Sequence, residues 1–121
     1  MMDAATTVQP RDYEAEATAF AADHLEAVAS EIDHTGIYPK ELIALLAAQG
    51  MLGLLLPKQW GGQEPNLSVH VEVTRALSRA CPAVASILNQ HAVAAEAIAR
   101  WGDEAQKSRV LPALAKGARL A

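Results

Sequence analysis

Apolar residues recur along this chain at three- and four-residue steps, and glycine or proline cuts the pattern at Gly36, Gly50, Pro82 and Gly102. Such spacing belongs to a succession of helices, each turning one face to a core. Tyr13, Ala17, Phe20, Ala21, Leu25, Val28 and Ile32 predict one long first helix. Asp12, Glu14 and Glu16 suit the positive end of its dipole, and Gly36 stops it. Pro39 opens a second helix whose Leu42, Ile43, Leu45 and Leu46 give it a wide apolar face ending at Gly50. Residues 53–57 are apolar on both faces and too few for a helix, which predicts a buried extended segment.

A loop follows around Trp60, Gly61 and Gly62. Asn66 or Ser68 can cap a third helix with Val69, Val73, Ala76, Leu77 and Ala80 inward. Pro82 breaks it, because proline disfavours helix at the residue before it. A fourth helix to Trp101 carries Ile87, Leu88, Ala95 and Ile98. Asp103 with Gln106 then forms a capping box for a fifth, interrupted at Pro112 and finished by Gly117. The prediction is an all-α bundle of five to six helices spanning residues 10–118. Residues 1–9 read as a disordered lead-in and 119–121 as the start of a strand.

Composition agrees. Alanine is roughly a fifth of the chain and aromatics only 4%, which favours closely packed helices over a sheet. A net charge of −4 with no Lys/Arg cluster argues against nucleic acid. No apolar run approaches the ~20 residues of a membrane span, and the N-terminus lacks a signal-peptide pattern. A single cysteine, Cys81, rules out an internal disulfide. A soluble, cytoplasmic protein is expected.

The search for chemistry is mostly negative. His24, His34, His70 and His91 have no metal-ligand spacing, so core or exposed histidines are the expectation and no metal is. Gly61-Gly62 is a turn signal without the further glycines and lysine of a phosphate loop. Cys81 has no base beside it and reads as a small buried side chain. The one polar interruption of an apolar helix is SILNQH, residues 86–91. Asn89, Gln90 and His91 are consecutive and about 100° apart on the helix, so at least one must point toward a neighbouring element.

Two segments carry a resemblance. Residues 42–62 read LIALLAAQGMLGLLLPKQWGG and residues 101–117 read WGDEAQKSRVLPALAKG. In this order they resemble the N-terminal helical domain of the acyl-CoA dehydrogenase family: a helix ending in Gly, a "GL…P" segment, an aromatic-Gly-Gly loop, two helices, then "G-[acid]-x-x-Q-K" and "LP-x-L-x-x-G". The match runs from about Glu41 to the end of the chain. It implies α,β-dehydrogenation of an acyl-CoA thioester, a glutamate taking the α-proton and FAD taking the β-hydride. The flavin-binding β-domain and that glutamate would both lie beyond Ala121, so no catalytic or cofactor-binding residue is assigned within 1–121, and the chain alone is expected to be inactive.

The resemblance also implies that Ala85, Ser86, Asn89, Gln90 and Val93 line the far end of the acyl-tail cavity. It further implies a homo-oligomer with an acyl-CoA substrate and an electron-transfer partner. Two alternatives stand beside it. Same-fold flavin monooxygenases share Pro57, Lys58 and Trp60 before the glycines and an Ala80-Cys81 helix end. A freestanding helical interaction module is the non-enzyme reading.

Overall fold

The computed structural model describes residues 10–64 and 66–120, so the expected lead-in at residues 1–9 lies outside the described residues, as does Ala121. Six α-helices and no strand occur among the described residues. They are α1 (Tyr13–Phe20), α2 (Ala29–Thr35), α3 (Lys40–Ala48), α4 (Leu67–Ala80), α5 (Pro82–Trp101) and α6 (Glu104–Ala115). Helix α1 packs on α4, α4 on α5, and α5 on α6, with α3 against the middle of the stack.

Each start has a local cause. Asp12 caps α1 by accepting from the Ala15 N–H at 3.0 Å, and Asn66 caps α4 from Val69 at 3.2 Å. At α6 the reciprocal box is complete. Asp103 Oδ1 accepts from the Gln106 N–H at 2.7 Å, and Gln106 Oε1 accepts from the Asp103 N–H at 2.9 Å. Helix α2 ends on Gly36 at φ 68, the left-handed conformation that glycine enters without steric cost.

Three expectations need correction. The first helix is not continuous: α1 runs into a π-helical turn at Ala21–Leu25, and α2 starts only at Ala29. That turn buries Phe20, Ala21 and Leu25 together in the main core. Within residues 53–57, Gly53 to Leu56 are buried as expected but turned back on themselves, and only the half-buried Pro57 is extended. Met51–Gly53 is a 3₁₀ turn, and the Leu56 N–H returns to the Gly53 carbonyl at 3.2 Å. Tight turns satisfy the backbone of an all-apolar run without a neighbouring strand. Pro112, finally, does not interrupt α6. The flanking Leu111 and Leu114 are fully buried against Leu56 and Ala95, and this packing outweighs the one helical hydrogen bond proline removes.

Burial falls in two clusters. The larger draws Phe20, Leu25, Ile43, Leu46, Met51, Leu52, Val73, Leu77 and Leu88 from α1, the π turn, α3, the 3₁₀ turn, α4 and the first half of α5. The smaller joins Leu56, Ala95, Leu111, Leu114 and Ala115, with Trp60 and Ile98 packed against it. Cys81 sits in the larger cluster, buried and reduced. Arg11 ties the N-terminal end to the central turn. It grips Glu16 at 2.7 and 2.9 Å and the Gln49 carbonyl at 2.9 Å, while the Tyr13 hydroxyl donates to Gln63 at 2.9 Å. The guanidinium holds Glu16 below the usual carboxylate range. No helix is long and apolar enough to cross a membrane among the described residues.

Candidate functional site

Helix α5 is the longest element, and its register decides what each residue can do. Val84, Ala85, Leu88, His91, Ala92 and Ala95 are buried, a broad stripe facing the other helices. With about 100° between successive residues, Ser86, Asn89, Gln90 and Val93 fall on one opposite stripe. All four are exposed, Val93 at 54%. Ala85 lies at the edge between the two stripes and is turned into the core at 3%. Of the five residues proposed to line an acyl tail, the fold thus gathers four on an open face and places the fifth behind them.

The polar run on α5 resolves as its spacing requires, though two residues turn toward neighbours. His91 points inward, and its Nε2–H donates to the Leu114 carbonyl at 2.9 Å, pinning α5 to α6 inside the smaller core. Asn89 reaches sideways to α4, where its Oδ1 stands 3.1 Å from Nε2 of His70. Gln90 Nε2 donates to Ser86 Oγ at 3.3 Å along the exposed stripe. His70 is 4% exposed and was not singled out by sequence. Its partner is 19 residues away, and only the unbroken polar run on α5 hints that α4 must supply one.

Burial pushes His91 below the usual imidazole range, against an upward pull from hydrogen bonding to the backbone of Leu114 and Leu52. A depressed histidine stays neutral in the folded state while the unfolded chain takes up a proton below its ordinary pKa of 6.5. Its contribution is complete above that value and is lost as pH falls below it. Between pH 7.5 and 5.5 the chain should lose stability through this group, with the unfolded state's protonation below pH 6.5 capping the loss at about 1.4 kcal/mol. Urea unfolding at both pH values, with His91→Asn as reference, measures it. An equal pH dependence in both proteins would remove the assignment.

The Gly61-Gly62 loop does not form a phosphate cradle. A phosphate cradle needs free backbone N–H groups, but in the glycine pair they are used within the loop. The Gly61 N–H donates to the Lys58 carbonyl at 2.9 Å and the Gly62 N–H to the Pro57 carbonyl at 3.1 Å. A groove of about 470 Å³ beside the 76% exposed Trp101, lined by Ile98, Gln106, Arg109 and Val110, is apolar and lies at the far end of α5 from Ser86. No cluster of three metal-binding side chains occurs among the described residues.

Comparison with known proteins shows the family. The family described as acyl-CoA dehydrogenase, N-terminal domain, matches residues 7–118. Acryloyl-CoA reductase (NADH) of Anaerotignum propionicum is 38% identical over 101 residues, covering 84% of this chain and 26% of that protein. The short-chain-specific acyl-CoA dehydrogenase of Clostridium acetobutylicum is 31% identical over 102 residues, covering 84% and 27%. Among solved structures, butyryl-CoA dehydrogenase from Megasphaera elsdenii superposes with a TM-score of 0.78 at 28% identity, over 95% of this chain and 32% of that one. The chain spans about a quarter of the length of these curated relatives.

Proposed function

This chain belongs to the acyl-CoA dehydrogenase family as an N-terminal domain, and from that premise we propose that it forms one wall of a flavin-dependent enzyme acting across the α,β bond of an acyl-CoA thioester. Residues 10–118 are the helical domain, and 119–121 lead toward the flavin-binding part. FAD and the catalytic base come from elsewhere in the complete cytoplasmic enzyme, which assembles as a homo-oligomer and exchanges electrons with a separate partner. The observation that carries this reading is the open stripe on α5. It has a packed helix layer behind it, so Ser86, Asn89, Gln90 and Val93 are free to face a ligand. The names of the three similar proteins given above support the substrate class, since those three are acyl-CoA enzymes.

The exposed apolar side chains support the domain's place in a larger body. Ile37 is 70% exposed, Leu67 67% and Trp101 76%, with Val71 and Leu45 also open. These side chains are available for contact with the rest of a larger body.

Purified alone, the 121-residue chain should carry no stoichiometric flavin, turn over no acyl-CoA and self-associate in sedimentation. Joined in its reading frame to a flavin domain, it should give an enzyme whose flavin absorbance bleaches with acyl-CoA, or reoxidises with enoyl-CoA, the direction named in the Anaerotignum relative. A yellow chain alone, or a stable monomer whose frame stops at Ala121, would refute the proposal and favour a freestanding module.

A further inference from the structure

The carboxamide of Asn89 stands at the border of the fold, one end held and the other free. Its Oδ1 meets His70 Nε2 at 3.1 Å. A carboxamide oxygen only accepts, so the imidazole must donate its Nε2–H there. With Oδ1 turned to the ring, the rotation of the amide and the Nε2–H tautomer go together. This leaves the Asn89 NH₂ as a donor on the exposed stripe of α5, beside the hydrogen-bonded pair of Ser86 and Gln90.

The seam beneath is polar where packing alone would not require it. His70 is buried between helices, and its Nδ1 has no hydrogen-bond partner among the described residues. Thr74 Oγ1, one helical turn along α4, is buried and unpartnered as well. A leucine at position 70 would fill the same seam without leaving a polar atom unmet. The ring is therefore better explained by what it holds than by what it fills.

We infer that His70 is a positioning residue that fixes Asn89 as a hydrogen-bond donor at the acyl-tail end of the site. The enzyme then favours acyl-CoA thioesters whose distal carbons carry a neutral oxygen acceptor over plain alkyl tails of equal length. This rests on reading the open stripe of α5 as the tail wall. Three of its four exposed residues are polar, so an alkyl tail would strip water from Ser86, Asn89 and Gln90 and give nothing back. A ketone or hydroxyl oxygen replaces the lost water at Asn89. Sites built to hydrogen-bond a substrate group discriminate strongly against analogues that lack it.

Two measurements test this. On the 121-residue chain, long-range ¹H–¹⁵N NMR of His70 should report the Nε2–H tautomer; an Nδ1–H tautomer overturns the inference. In the enzyme joined to its flavin domain, kcat/KM is compared for hexanoyl-CoA and its analogue with a ketone at the penultimate carbon. The ketone should be preferred about tenfold or more. Asn89→Leu and His70→Leu should each bring the ratio to one or below, and His70→Gln, which can still donate to Asn89, should restore most of it. Turnover of both thioesters with a ratio that neither leucine variant moves sinks this inference and leaves the acyl-CoA reading standing. No turnover of either thioester sinks both.

Discussion

Replacing Gly62 by alanine should cost the fold about 3 kcal/mol or more, at or above the upper end for overpacking a rigid site. A Cβ placed there would meet backbone and not a yielding side-chain tip. The Leu56 carbonyl oxygen would be 2.0 Å away, its carbon 2.5 Å, and the Leu56 Cβ 2.6 Å. The close approach has a purpose. The loop after Pro57 folds back on the central turn, where the Gln63 N–H donates to the Gly53 carbonyl at 2.9 Å and the Glu64 N–H to the Leu56 carbonyl at 3.1 Å. Trp60, in the same loop, packs on the smaller core that contains Leu56. Gly36→Ala is the control: it has open space around its Cβ but a φ of +68. Only left-handed strain acts there, about 1–2 kcal/mol. Urea midpoints of the two variants should therefore differ clearly, with Gly62→Ala the weaker fold. Equal losses would mean that the loop moves away from Leu56 at little cost.

Helix ends were legible in the sequence because each is decided locally. Gly36 and Gly50 take left-handed conformations, and the Asp103–Gln106 box depends on residues three apart. What escaped depends on packing at a distance. The spacing of Ala17, Phe20, Ala21 and Leu25 fits a regular helix as well as one widened by a π turn, so periodicity could not reveal the insertion at Ala21–Leu25. The run at residues 53–57 had no alternation to distinguish a strand from tight turns, and length alone suggested the wrong one. Pro112 carries a strong local rule that the burial of Leu111 and Leu114 overrides. For the candidate site, the family resemblance pointed to five residues of α5, four of which the fold gathers on one open stripe while Ala85 is buried. The bond from Asn89 to His70 required knowing that α4 and α5 lie side by side, which no spacing within either helix conveys.

The division of α5 into a structural and an open face leads to a second large effect. Leu88 is fully buried in the main cluster, and Leu88→Ala should destabilise the chain by about 3–4 kcal/mol, the transfer loss plus an unfilled cavity. Val93 lies five residues on, and Val93→Ala should change stability by no more than about 0.5 kcal/mol, since more than half of that side chain is already in water. Denaturation at dilute and at high protein concentration separates packing within the fold from packing between molecules. A cost at Val93 that appears only at high concentration would place the open stripe in a contact between copies. A cost as large as that at Leu88 even at high dilution would mean the stripe is covered within the chain itself, and α5 would then have no free face to offer an acyl tail.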